Sequence, residues 1–181
     1  GLYFPSLKVT TSFGCTDSLL SLLPVKIVAP PQGQITQSPN GCTPVTINFN
    51  GSLAGADTSA ITWQWDFGNG NTSSLSNPPA QTYSVAGNYP ISLQLTNSTG
   101  CKDTVLTSVD AFAIPNVYAG GDTLICQGTG KTLLATGAAT YVWSPSIGLS
   151  CTNCANPVAT PDSIRTYTVI GTSAEGCVNS D

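Results

Sequence analysis

Three stretches of the chain carry one signature, a tyrosine, an alternating apolar run and then a Gly-Cys pair. They run from Tyr3 to Gly14-Cys15, from Tyr89 to Gly100-Cys101 and from Tyr167 to Gly176-Cys177. In the first two copies Tyr precedes Cys by twelve residues, and in the third by ten. Leu7 and Val9 alternate in the first, Ile91, Leu93 and Leu95 in the second, and Tyr167 and Val169 in the third. A period of two is the mark of a strand with one buried face. The Gly-Cys pair then marks a turn into a returning strand. A hairpin that recurs at intervals of the size of a small β-sandwich constrains the fold more than any other feature.

The repeat divides the chain. Residues 1–29 read as the last two strands of a sandwich, 30–114 as a complete one, and 115–181 as a third that lacks its last strand. Pro30-Pro31 and Ile114-Pro115-Asn116 mark the joints, because proline ends strands and stiffens linkers. Neither joint is long or rich in Gly and Ser. The expected fold is therefore all-β, with tandem sandwiches in a semi-rigid rod whose terminal domains are truncated. Gly1 opens directly on the repeat, so we expect these residues to be a slice of a longer chain.

Composition supports strands and turns. Of 181 residues, 18 are Gly and 13 Pro, and only 8% are charged. The net charge of -4 with five Lys plus Arg excludes the basic face that nucleic acid requires. A hydrophobic share of 40% argues against a solvated coil. No apolar run reaches the length of a membrane span, since Ser21, Pro24 and Lys26 interrupt the longest.

The chain has seven cysteines and no histidine. Zinc would need thiolates alone, and Cys151-Thr152-Asn153-Cys154 is a CxxC without a second half. Disulfides in an oxidising, extracytoplasmic place are the expected chemistry, and no cofactor is expected. Cys151 and Cys154 are expected to bridge each other. Cys42 with Cys101, and Cys126 with Cys177, recur once per unit and form the next expected pairs. A topological objection keeps a second pairing open. Cys42 begins an early strand and Cys101 sits at a late hairpin, ends of a sandwich too far apart for a bridge that needs Cα atoms within about 7 Å. Bridges between neighbouring units, such as Cys42 to Cys177, answer that objection.

Trp63-Gln64-Trp65-Asp66-Phe67-Gly68-Asn69-Gly70-Asn71 concentrates aromatic residues as nowhere else. On a strand, Trp63, Trp65 and Phe67 share one face and Gln64 and Asp66 the other. Three large aromatics at period two predict a sandwich core, against the competing reading of a glycan platform. Gly68-Asn69-Gly70 predicts a tight turn, and Asp66 is expected to accept turn amides. Asp66 is also the one candidate for a calcium ligand, with no cluster of carboxylates near it in sequence. Tyr83 and Tyr89 are expected to tie loops to the sheet, and Trp143 to repeat the core role of Trp65.

With Asn77-Pro78-Pro79-Ala80-Gln81-Thr82-Tyr83 and Gly87-Asn88-Tyr89, this segment resembles the PKD domain, an immunoglobulin-like sandwich with the signature W-x-F/W-G-D-G, N-P-x-H-x-Y and G-x-Y. Asn69 and Gln81 replace the usual Asp and His. Residues 1–17 resemble the tail of another copy. The third unit, with Ala119-Gly120-Gly121-Asp122, Tyr141-Val142-Trp143-Ser144-Pro145 and Cys151-Thr152-Asn153-Cys154, is similar to immunoglobulin-like repeats of Bacteroidetes surface proteins, among them gliding-motility-associated adhesins exported by type 9 secretion. The resemblances imply a long extracellular, cell-surface protein and no catalytic activity.

Asp is followed by Ser or Thr at Asp17, Asp57, Asp103, Asp122 and Asp162, and four of these continue with an aliphatic residue. That resembles the Bacteroidetes O-glycosylation sequon. Ser18, Thr104, Thr123 and Ser163 are expected to carry glycans, at hairpins or linkers.

Without His to link Ser and Asp, no hydrolytic triad can be assembled, and the chain is expected not to be an enzyme. The expected role is a structural stalk or filament segment of a large bacterial adhesin, spacing and presenting a distal binding region. Its partners would be adjoining repeats, laterally associated chains and surface glycans. The alternatives are an accessory module of a secreted hydrolase, or a carbohydrate-binding module using Tyr118 or Tyr141.

Overall fold

A computed structural model of the chain describes residues 1–21, 23–54 and 61–181. Asp57-Thr58 lies outside the described residues. The described residues are all-β, and they contain no helix, hence none long and apolar enough to cross a membrane.

The first part holds β1 (Leu2–Tyr3), β2 (Ser6–Thr10), β3 (Thr16–Leu20) and β4 (Val25–Lys26). β2 and β3 form an antiparallel hairpin, and β1 with β4 continues it, with Tyr3 opposite Val25. Leu7, Val9 and Leu19 alternate as expected, yet they are exposed.

The middle part holds β5 (Gly33–Gln37), β6 (Gly41–Cys42), β7 (Val45–Ile47), β8 (Phe49–Leu53), β9 (Thr62–Asp66), β10 (Thr72–Ser73), β11 (Gln81–Tyr83), β12 (Gly87–Thr96) and β13 (Lys102–Phe112). One sheet has the order β10-β9-β12-β13-β6; the ladders β5-β8 and β7-β11 supply further strands. Between them lies a core of Ile47, Phe49, Trp65, Phe67, Tyr83, Ile91, Leu93, Leu95, Val109 and Ala111. The period-two pattern of β12 sends Ile91, Leu93 and Leu95 inward, where water is excluded from each. β6 adds to the sheet in parallel, pairing Gly41 with Ala111 and Cys42 with Phe112. Cys42 is thereby placed at the end of β13, next to the joint with the third part.

The third part holds β14 (Lys131–Thr132), β15 (Thr140–Ser144), β16 (Val158–Ala159), β17 (Thr168–Thr172) and β18 (Val178–Ser180). β15-β17-β18 form one sheet and β14-β16 a ladder. Its core is small: Val117, Ala135, Trp143 and Val169 are buried, with Tyr141, Leu149 and Tyr167 packed on them. Gly171 has no room for a side chain, since a Cβ there would lie 2.5 Å from Val117 Cγ2.

Candidate functional site at the joint of two β-units

The three Gly-Cys turns fold alike because each begins with a residue bearing a short side-chain oxygen. Thr11 Oγ1, Asn97 Oδ1 and Ser173 Oγ accept the N–H of Cys15, Cys101 and Cys177 at 3.2, 2.9 and 3.2 Å. In each turn the backbone N–H of the opening residue donates to the cysteine carbonyl, and the glycine N–H donates back to the opening residue's carbonyl. Gly14, Gly100 and Gly176 have φ of 81°, 84° and 86°, which a side chain would disfavour. The turn is therefore a device that holds a cysteine sulfur at the end of a hairpin.

In the third copy that sulfur is bonded. Cys177 forms a disulfide with Cys42, with Cα atoms 5.6 Å apart, and Cys177 is fully buried. Beside it, the Thr43 N–H donates to Phe112 O at 2.9 Å, and Asn179 Nδ2 donates to Pro115 O at 2.9 Å. The Ala119 N–H donates to Asp181 Oδ2 at 2.7 Å. Residues that lead from the middle core to the third are thus strapped by one covalent bond and by side-chain hydrogen bonds.

The pairings Cys42–Cys101 and Cys126–Cys177 are corrected by this bond. Cys101 immediately precedes β13 and Cys42 pairs with Phe112 at its other end. An 11-residue strand separates them by roughly 30 Å or more, at about 3.3 Å per residue, several times the reach of a disulfide. Cys15, Cys101 and Cys126 carry free thiols, and Cys15 and Cys126 are exposed. Cys151 and Cys154 are bonded to each other. Their loop covers Trp143, whose backbone N–H donates to Thr152 O at 2.7 Å and whose ring Nε1 donates to Cys154 O at 2.9 Å.

The aromatic strand lies in the core. Trp65 and Phe67 are fully buried and stacked, with ring centroids 5.6 Å apart, and Phe49 packs on both. Trp65 Nε1 donates to Leu75 O at 2.8 Å, the same provision that Trp143 has. Trp63 is only half-buried and packs against this cluster. Tyr83 is buried and donates its hydroxyl to Phe67 O; Tyr89, half-buried, donates to Val85 O. Burial, with the neighbouring Tyr89 adding to it, pushes the Tyr83 phenol up to about 12. Asp66 Oδ1 accepts the Gly68 N–H at 2.9 Å. Among the described residues no three His, Cys, Asp or Glu side chains gather as a metal site would require.

The four Asp-Ser/Thr hydroxyls are all exposed, but Ser18 and Thr104 lie within β3 and β13 and not in turns. Thr123 and Ser163 lie in loops. The Ser163 hydroxyl donates to Asp162 Oδ1, and this bond, with Arg165 nearby, holds the Asp162 carboxyl below its ordinary value.

Two functional positions escaped the sequence reading. Gly51 sits inside β8, where a Cβ would lie 2.5 Å from Trp63 and 3.0 Å from Trp65; a glycine two residues after an inward Phe was the available signal. Asn97 is a buried polar residue that closes the second Gly-Cys turn and reaches Ala29 O at 3.4 Å. Its signal was the shared hydrogen-bonding character of Thr11, Asn97 and Ser173.

The layers and their aromatic core define the class as an immunoglobulin-like β-sandwich. Residues 28–114 match the family model described as the PKD domain. PKD domains are non-catalytic modules typical of extracellular proteins. Among solved structures, the PKD1 domain of the Vibrio cholerae metalloprotease PrtV is 26% identical, covering 46% of this chain and 98% of that one, with a TM-score of 0.40. The PKD1 domain of Vibrio anguillarum Epp is 24% identical over 47% of this chain and 96% of that one, with a TM-score of 0.40. A structure of carbohydrate-binding modules of the β-sandwich superfamily is 19% identical over 80% of this chain and 55% of that one, with a TM-score of 0.44. No curated protein matches the chain.

Proposed function

We propose that these residues are a structural spacer, a segment of the stalk of a large bacterial cell-surface adhesin that holds a distal binding region away from the cell. The observation that carries this reading is the Cys42–Cys177 bond. It encloses residues 43–176, and with them every buried apolar residue of both cores. Tension applied along the chain passes from Cys42 through sulfur to Cys177 and bypasses both cores, leaving only β5, β18 and the segments beyond them in the force path. A module that works by being stretched gains from such a path, because β-ladders shear at forces a covalent bond withstands. Tandem units joined by short, proline-marked linkers then behave as a semi-rigid rod, with adjoining repeats and laterally packed chains as partners. O-linked sugars at Ser18, Thr104, Thr123 and Ser163 would add the hydration that a surface with few charges lacks.

Excising residues 30–181 from the parent protein tests the role. Adhesion of whole cells is expected to fall, while the isolated distal region binds its target unchanged. Undiminished adhesion by the shortened protein would refute the spacer role. The carbohydrate-binding reading has one observation in its favour, the exposed ring of Tyr118. Tyr141 does not add to it, because its hydroxyl is engaged in both directions by the Ala138 backbone.

A further inference from the structure

We propose that the Gly-Cys turn is a repeated covalent coupling site, and that Cys15 and Cys101 form disulfides to the adjoining β-unit as Cys177 does to Cys42. Cys126, like Cys42, precedes the core tryptophan of its unit, though in a loop where Cys42 is on a strand, and on this proposal it receives the sulfur of another such turn.

The observed disulfide sets the rule. Cys177, at the hairpin of one unit, meets Cys42, which lies beside the last strand of the unit before it. The second copy reproduces this placement up to the missing partner. Cys101 Sγ lies 3.8 Å from Val28 O, and Asn97 Nδ2 points to Ala29 O. These residues follow β4, the last strand of the first unit, as Ala113 and Ile114 follow β13. The Gly33 N–H donates to Asp103 Oδ2 at 2.8 Å, and at the other joint Asn179, the residue that corresponds to Asp103, donates from Nδ2 to Pro115 O at 2.9 Å. Cys101 therefore faces the end of the preceding unit's last strand, the place where the second unit holds Cys42 on β6. Among the described residues the first unit holds no strand of that kind, and Cys101 is assigned a cysteine of another β-unit, on the same polypeptide or on a second copy. Cys15 sits on the same turn one unit earlier, and its sulfur is exposed.

Each bond forms by exchange with a disulfide-bearing oxidoreductase of the oxidising compartment. Two cysteine thiols lose two protons and two electrons and join, while the donor's disulfide is reduced to two thiols. On one polypeptide the resulting loops overlap: the loop closed at Cys101 ends inside the loop that runs from Cys42 to Cys177. The part of the middle core from Ile47 to Leu95 is then enclosed twice, and Val109 and Ala111 once. This deepens the spacer reading and rests on it for its mechanical meaning.

The test is disulfide mapping of the full-length protein from its own source. The protein is denatured without reduction, free thiols are alkylated, and the digest is analysed by mass spectrometry. Cys15, Cys101 and Cys126 are expected to escape alkylation, each in a cross-linked peptide two hydrogens lighter than its parts. The partner peptides are expected to come from other β-units, with Cys42–Cys177 as the internal reference. A non-reducing gel separates the sources: a same-chain partner leaves the mass unchanged, and a second copy gives multimers that collapse on reduction. Alkylated Cys101, or a bond among Cys15, Cys101 and Cys126 of one chain, overturns the proposal. The spacer role fails separately, through the excision experiment, since mapping reads bonds and excision reads adhesion.

Discussion

Cys42 and Cys177 are separated by 135 positions in sequence and by 5.6 Å between their Cα atoms. No other covalent contact joins the middle core to the third one among the described residues, apart from the backbone itself. In the chain-entropy picture, closing a loop of that size removes freedom from the unfolded chain worth on the order of 5 kcal/mol. In the folded chain the bond acts differently, by fixing how the hairpin at Cys177 meets the end of β13.

Replacing Cys177 by Ser is expected to destabilise the third unit by about 2–5 kcal/mol. Its four-residue buried core gives it little in reserve. Denaturant unfolding followed at Trp143 reads the loss, and an unchanged midpoint would contradict it. Trp65, in the larger core, is expected to report a smaller change.

Gly51→Val is expected to destabilise the middle sandwich by about 1–3 kcal/mol through overpacking against Trp63 and Trp65. Trp65→Ala is expected to cost about 3–5 kcal/mol, by the loss of a stacked, fully buried ring. Thermal melts of the two variants rank the effects. A neutral Gly51→Val would show that the indoles have room the structure does not give them.

The core was the most legible part of the sequence. Trp65, Phe67 and Trp143 could be assigned because period-two aromatics followed by a glycine turn leave few arrangements, and each ring lies where that pattern places it. Trp63 and Tyr89 are less buried than expected: Trp63 lies against the backbone of Gly51, and Tyr89 packs on Tyr83 while its hydroxyl reaches Val85 O. The disulfides were less legible. Counting one pair of cysteines per unit favoured Cys42 with Cys101; the objection that these lie at opposite ends of a sandwich kept Cys42 with Cys177 open, and that is the bond the structure holds. Pairing depends on which end of a strand a residue occupies and on which unit packs there; the first could be argued from the order of strands, the second could not.

Asn97→Ala is expected to cost about 1 kcal/mol, because the buried Asn97 oxygen accepts from the Thr99 N–H and hydroxyl and from the Cys101 N–H, and its removal takes those bonds from a turn whose donors lie nearer solvent. Hydrogen exchange at the Cys101 amide is the sensitive readout. Asn97→Asp keeps the acceptor and is expected to retain protection at that amide, whereas equal loss in both variants would contradict the turn's assigned role.

Tyr83 gives a pH dependence with a definite sign. Its folded phenol titrates at about 12 and the unfolded one near 10. The folded state therefore holds the proton more tightly, and the contribution is intact below pH 10 and lost as pH rises from 10 toward 12. Tyr83→Phe is expected to be less stable at neutral pH by about 1 kcal/mol, for the lost hydrogen bond to Phe67 O, and to show a shallower alkaline decline. Parallel slopes for the two proteins would contradict the assignment.

Pulling the single chain from its two ends tests the spacer mechanism most directly. With Cys42–Cys177 intact, residues 43–176 are expected to contribute no contour length, and extension comes only from the segments outside the bond. After reduction, unfolding both sandwiches is expected to release roughly 400–500 Å more, at about 3.3–3.6 Å per residue. Equal contour lengths in the oxidised and reduced chain would show that tension does not run through the sulfurs and would contradict the account.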